Sequence, residues 1–128
     1  MDVLLLLTFL MIKHAIADMF LQTFHSGVNK SNYFGNGQRH YIEHGVLTFL
    51  VVLLFAPIQI ALAVAFLDYV LHWQIDFIKS FVVKKFNIDR NSGLFWRIQS
   101  IDQLCHYMTY SLIVYLLYIN QYVTLLQQ

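Results

Sequence analysis

The chain has 128 residues, of which 59% are hydrophobic and only 12% are charged, and its formal net charge is +1. Soluble domains carry about 25% charged residues, so this composition is typical of a membrane protein, and the length allows one domain. The small net charge and the absence of a basic, aromatic-rich face argue against nucleic-acid binding. The single cysteine, Cys105, excludes an intrachain disulfide and a metal site built from several thiolates.

The apolar segments predict an all-α fold, an integral membrane bundle of four transmembrane helices that forms one domain over residues 1–128. His25 falls in a Gly- and Asn-rich loop and is expected to be exposed. Pro57 is expected to follow a tight turn, because one helix from 40 to 83 would be about 65 Å long, twice the hydrocarbon core of a bilayer. The helices are expected at about 2–25, 40–56, 57–83 and 94–124.

Basic residues outside the apolar segments predict the orientation of the bundle. The termini and the turn at Pro57 have no Lys or Arg, whereas the loops after the first and third helices are basic. By the positive-inside rule these two loops are cytoplasmic, and both termini lie outside. The basic residues in and beside the two loops are Lys30, Arg39, Lys84, Lys85, Arg90 and Arg97.

Each predicted helix carries polar side chains at helical spacing in its cytoplasmic half. Lipid cannot solvate such stripes, so they are expected to face one another around a polar centre near the cytoplasmic leaflet. Lys13 does not belong to a stripe and is expected to face elsewhere. The stripes are His14, Asp18 and Gln22; His40 and His44; Asp68, His72, Asp76 and Lys79; and Gln99, Asp102, Gln103 and His106.

Imidazole and carboxylate side chains in one buried cluster are the ligands of a divalent metal, with Zn as the first choice and Mn or Fe as alternatives. The supply is enough for one closed site or for two ions bridged by a carboxylate. Asp102 and Gln103 are predicted to orient the histidines, and Lys79 to clamp an anion at the mouth of the site. The leading hypothesis is a metal-dependent hydrolase of a lipid or headgroup phosphoester. The predicted metal ligands are His14, Asp18, His44, His72, Asp76 and His106.

Other interpretations of the same residues remain open. The polar groups could form a metal-free hydrogen-bonded network that fixes helix packing, or an ion or proton pathway. The protein would then be a non-enzymatic membrane subunit, a homo-oligomer or part of a larger membrane complex. His40 to His44 also match the H-x-x-E-H pattern of inverted zincins, with Glu43 as the base. Glu43 is the only glutamate, however, so the usual third glutamate ligand is missing.

The polar motifs, taken in chain order, resemble the family labelled domain of unknown function 3307, small membrane proteins of bacteria and phages. They are HAIADMFLQT, paired histidines before an apolar run, H-x-x-x-D-x-x-K and D-Q-x-x-H. The resemblance implies a polytopic protein of the bacterial inner membrane but no established activity. More remotely, the chain is similar to inner-membrane metal-dependent hydrolases. The residues that carry the resemblance are His14, Asp18, Gln22, His44, His72, Asp76, Lys79, Asp102, Gln103 and His106.

Overall fold

The computed structural model describes residues 2–22, 30–35 and 37–126, with side chains as far as Gln121. This part of the chain consists of helices and contains no strand, which confirms the predicted all-α class. His25 and the expected end of the first helix lie outside the described residues. The helices are α1 (Val3–Ile16), a π-helical turn (Ala17–Leu21), α2 (Gly37–Val52), α3 (Ile58–Lys85) and α4 (Gly93–Leu126).

The first helix changes its winding before it ends. The carboxylate of Asp2 caps α1 by accepting a hydrogen bond from the Leu5 amide, and regular α-helix continues to Ile16. The next turn is wider, and the Gln22 amide donates to the Ala17 carbonyl five residues back. Single π-helical turns of this kind are rare and often occur at functional sites. This one contains Asp18.

The second helix begins three residues before its expected start and ends four residues before its expected end. After Val52 the chain tightens, because the Leu54 and Phe55 amides donate to carbonyls only three residues back. Pro57 explains the early end, since a proline disfavours the helical conformation of the residue before it. As expected, Pro57 then precedes α3 directly, as its N-cap residue.

The four helices form a closed ring in which each helix packs against its two neighbours, α1 against α2 and α4, and α3 against the same two. One half of the interior, toward the N-terminus and the Pro57 turn, is apolar. The other half buries ionisable side chains, most of them from the predicted stripes. The apolar half consists of Leu6, Leu10, Val52, Ala61, Val64, Tyr110, Ile113, Val114 and Leu117. The buried ionisable residues include Lys13, His14, His40, His44, Asp68, His72, Asp76, Asp102 and His106.

The outer surface of the bundle is rich in large apolar side chains. Leu4 is 73% exposed, Phe20 80% and Phe66 69%. By length and apolar content, two segments could cross a membrane, Val3–Leu21 and Ile58–Lys85. This agrees with two of the four predicted spans. The 16 residues of α2 extend only about 24 Å, and α4 mixes its aliphatic residues with tyrosines and amides.

Gly45 permits the close approach of α2 and α3. A Cβ atom on Gly45 would lie 3.3 Å from both the Ala65 carbonyl oxygen and the Tyr69 Cβ, whereas one on Gly93 would meet open space. We expect Gly45→Leu to separate the two helices and to lower the free energy of unfolding by about 1–3 kcal/mol, and Gly93→Leu to have a much smaller effect. Thermal unfolding of both variants in detergent tests this, and equal losses would contradict it.

Candidate metal centre

Asp18, in the π-helical turn, lies among three histidines from two helices. Its Oδ1 atom is 3.1 Å from His44 Nε2 and 3.2 Å from His40 Nε2, and its Oδ2 atom is 3.3 Å from His14 Nε2. The spacing of four residues between His40 and His44 places both rings on one face of α2. Asp18 therefore joins α1 to α2 through side chains that can all bind a cation.

Asp76, one turn from His72 on α3, lies in a second group of histidines. Its Oδ2 atom is 3.5 Å from His72 Nε2 and 3.6 Å from His40 Nε2, and its Oδ1 atom is 3.7 Å from His106 Nε2. His40 thus lies between Asp76 and the carboxylate of Asp18. The two carboxylates and their histidines form one continuous cluster that involves all four helices.

The His72 ring lies at the middle of this cluster. It stacks on His44 with ring centroids 3.5 Å apart and on His106 with centroids 4.0 Å apart. The stack therefore places three imidazole rings, the side chains most often used to bind zinc, side by side at the middle of the cluster. His72 itself is buried.

Several buried nitrogen atoms of the cluster lack a hydrogen-bond partner among the described residues. They are the Nδ1 atoms of His40 and His72, which have no hydrogen-bond or ion-pair partner in the described part of the chain, and the Nε2 atoms of His40, His72 and His106, whose carboxylate contacts lack hydrogen-bond geometry. Unsatisfied buried polar atoms are costly and call for an explanation, such as an ion. Two sets of residues each offer ligand atoms that all lie within 4.8 Å of one another. They are Asp18, His40, His44 and His72, and His72, Asp76 and His106.

This geometry fits a divalent cation, and His72 belongs to both sets. The mixed imidazole and carboxylate donors could hold a metal ion, which agrees with the predicted metal-binding character of the cluster. Five of the six predicted ligands are in the two sets. His40 was not among the predicted ligands, although its spacing from His44 is the signal that could have identified it.

The sixth predicted ligand, His14, belongs to neither set, and both of its ring nitrogens have partners on α4. Its Nε2 atom is 3.2 Å from Gln103 Oε1, and its Nδ1 atom is 2.9 Å from the Tyr110 hydroxyl. Gln103 thus contacts a histidine, the position expected of an orienting residue. His14 Nε2 also lies 3.3 Å from Asp18 Oδ2, so this ring can help to hold Asp18 in place, and its role as a metal ligand stays a prediction.

Two lysines lie against the outer carboxylates of the centre. Lys79 donates to Asp102 Oδ2 at 3.1 Å, and Asp102 Oδ1 is 3.9 Å from His106 Nε2. Lys30 Nζ is 2.5 Å from Asp76 Oδ2. Sequence reasoning assigned Lys30 only a topological role, because a contact between a loop residue and α3 leaves no periodic signal.

The expectation that Lys13 faces elsewhere was wrong. Lys13 is 3% exposed, and its Nζ atom donates to Asp68 Oδ2 at 2.6 Å and lies 3.4 Å from His44 Nδ1. The Thr48 hydroxyl donates to the same Asp68 oxygen at 2.6 Å. A buried ammonium needs such a carboxylate partner, and the opposite helix supplies it.

Glu43, the base in the alternative zincin interpretation, forms an ion pair with Arg39 and not with a histidine. It accepts a hydrogen bond of 2.9 Å from Arg39, whose side chain is 75% exposed. Glu43 belongs to neither set of metal-capable residues. The geometry therefore gives no support to an inverted zincin site.

The Lys13–Asp68 pair makes a stability prediction. Asp68→Asn leaves a buried ammonium without its counter-charge, so we expect it to lower the free energy of unfolding by about 3–5 kcal/mol. The double variant Lys13→Met/Asp68→Leu removes both charges and is expected to recover most of that loss. Arg39→Ala, which breaks an exposed ion pair, is the control and should cost less than about 1 kcal/mol. Additive losses in the double variant would contradict the pairing.

Comparison with known proteins identifies a family and no further relative. A family model described as a protein of unknown function (DUF3307) matches residues 6–128, nearly the whole chain. No curated protein and no solved structure matches. The remote similarity to metal-dependent hydrolases that the sequence suggested is therefore not supported.

Proposed function

The chain belongs to the DUF3307 family, which has no established activity, and we propose that it is a membrane-embedded metal-dependent hydrolase of a phosphoester. The observation that carries this proposal is the convergence of five buried or half-buried donors on a sixth, His72. These donors come from α1's π-helical turn, α2, α3 and α4, so the whole bundle is built around them. A structural role alone would not require unsatisfied nitrogen atoms at its middle.

The distribution of polar and apolar side chains supports a membrane location. Ionisable groups are buried inside the bundle, while residues such as Leu54 (71% exposed) and Met108 lie on its surface. Water would disfavour this arrangement and lipid would favour it. We place all four helices in the bilayer of the bacterial inner membrane, with the loops at 30–35 and 86–92 on the cytoplasmic side and both termini outside.

The side chains of such a centre would have different roles. A divalent ion would supply the nucleophile, by lowering the pKa of a water molecule to near neutrality. Asp18 and Asp76 would balance the charge of the ion, and His72 belongs to both sets of donors. Gln103 and Tyr110 hold the His14 ring, which in turn restrains Asp18. Zn is the first choice because histidines are the majority of the donors.

A metal-free polar network is the second candidate function, and one observation favours it. Lys13, Asp68 and Thr48 extend the polar cluster beyond His44 with bonds of 2.6 Å, and none of these three groups is needed for metal binding. Such a network would fix helix packing in a subunit of a membrane complex or carry protons. The metal content of the purified protein distinguishes this candidate from the hydrolase.

The shared position of His72 makes a prediction about metal binding. We expect the untagged protein, purified in detergent, to retain near-stoichiometric Zn, Mn or Fe by mass spectrometry. His72→Ala should lose the metal from both sets of donors, and Asp18→Asn and His106→Ala should each reduce it. Asp89→Asn removes an exposed carboxylate in the α3–α4 loop and should retain it. The metal-loaded protein should hydrolyse members of a phosphoester panel, and His72→Ala should not.

Loss of metal through misfolding has to be separated from loss of a ligand. Far-ultraviolet circular dichroism and the elution volume in detergent identify variants that keep the helical bundle. Metal in a folded His72→Ala variant at the wild-type level would overturn the proposed centre. A wild-type protein that neither retains nor takes up any of the three metals would overturn it as well, and would favour the metal-free network.

A further inference from the structure

A polar cavity of about 570 Å³ lies beside the metal centre, at the end of the bundle where the two basic loops meet. Residues of the loop at 30–32, the last turns of α3, the α3–α4 loop and the first turns of α4 line it. Its volume is in the range of small-molecule sites. The charged residues that line it are all basic: Lys30, Lys79, Lys84 and Arg90.

These four cations are not equivalent. Lys30 and Lys79 are paired with Asp76 and Asp102, the carboxylates that separate the cavity from the histidines. Lys84 and Arg90 are exposed and have no ion-pair partner among the described residues. The cavity therefore has two cations whose charge no neighbouring carboxylate balances.

We propose that this cavity binds a phosphate monoester group. The inference rests on the proposed function and narrows its substrate to a monoester, whose charge near −2 matches the two unbalanced cations. Arg90 supplies a planar set of N–H donors that suits phosphate oxygens, and Lys84 supplies a mobile ammonium. The amides of Asn32 and Asn87 in the lining are further donors.

The position of Lys30 couples this cavity to the metal centre. Its Nζ atom lies 2.5 Å from Asp76 Oδ2, and Asp76 is one of the metal-capable residues. A metal cation bound by this carboxylate would share its negative charge with the ammonium and repel it, which would weaken the hold of Asp76 on Lys30. Lys30 is then available to an anion in the cavity that it already lines. Metal and phosphate monoester should therefore bind cooperatively, and each should raise the affinity for the other by the same factor.

The test uses the full chain in an uncharged detergent and methylphosphonate, a soluble analogue of a phosphate monoester that cannot be hydrolysed at an ester bond. Isothermal titration calorimetry compares wild type with Lys84→Ala/Arg90→Ala. The control is Lys85→Ala/Arg97→Ala, which changes the net charge equally at exposed residues outside the cavity. We expect the first variant to bind at least about tenfold more weakly, and the control to stay within about twofold of wild type. Equal weakening in both variants would overturn the site, because it would indicate general electrostatic attraction.

A second arm identifies the source of the phosphate group, with phosphatidic acid in phosphatidylcholine nanodiscs as the probe. Binding of phosphatidic acid that depends on Lys84 and Arg90 assigns the site to a lipid headgroup. Binding of methylphosphonate alone assigns it to a soluble monoester. If neither probe binds, the inference is wrong, even when the protein retains its metal. If a probe binds to a protein that retains no metal, the result supports the proposed phosphate site and contradicts the proposed metal centre.

A separate measurement tests the predicted coupling between metal binding and phosphate binding. Methylphosphonate should bind the metal-loaded protein more tightly than the metal-free protein, and Lys30→Gln should abolish most of this difference. The stability of Lys30→Gln is measured beside it by thermal unfolding. Identical affinities in the loaded and metal-free wild-type protein would show that Lys30 does not link the two sites.

Discussion

The arrangement of this bundle depends on the cost of burying ionisable groups. Removing a charge from water costs several kcal/mol unless a partner compensates it, so Lys13, Asp68 and Asp76 can be buried only where each lies against an opposite charge. Lys13 meets Asp68 at 2.6 Å, and Asp76 meets Lys30 at 2.5 Å. These pairings favour the orientation in which the polar faces of α1 and α3 point inward, and their apolar faces then form part of the outer surface. The polar centre and the apolar exterior are thus two consequences of one requirement.

Helical periodicity is sufficient to predict which side chains share a face of one helix. This explains why the polar stripes could be predicted from the sequence. Asp68, His72 and Asp76 are each four residues apart, so they had to lie on one stripe of α3, and an apolar environment had to turn that stripe inward. The proline turn at Pro57 was predictable for a similar reason, because a longer helix would have exceeded the bilayer. Helix ends were less predictable. The π-helical turn at Ala17–Leu21 depends on a hydrogen bond of unusual spacing that no residue pattern announces.

The sequence could not predict which side chains of different helices are in contact. His14 and His44 look alike in their stripes, yet the two nitrogens of His14 contact Gln103 and Tyr110 of α4, whereas those of His44 contact Lys13 and Asp18. Only the vertical register of α1 against α4 decides this, and periodicity carries no information on register. Lys13 was misplaced for a related reason. It lies about 100° around the helix from His14, but its long side chain spans that angle and reaches Asp68.

The contacts of Lys30 suggest why a charged centre and a basic cavity adjoin each other. A buried carboxylate such as Asp76 needs a cation to balance its charge. Lys30 meets that need from the cavity side, and a metal ion would meet it from the histidine side. Because two cations on one carboxylate repel each other and share its charge, an ion at the centre would leave the charge of Lys30 less well balanced and so alter the potential in the cavity. The junction at Asp76 is therefore the point at which the two sites can communicate, and no larger movement of the helices is required.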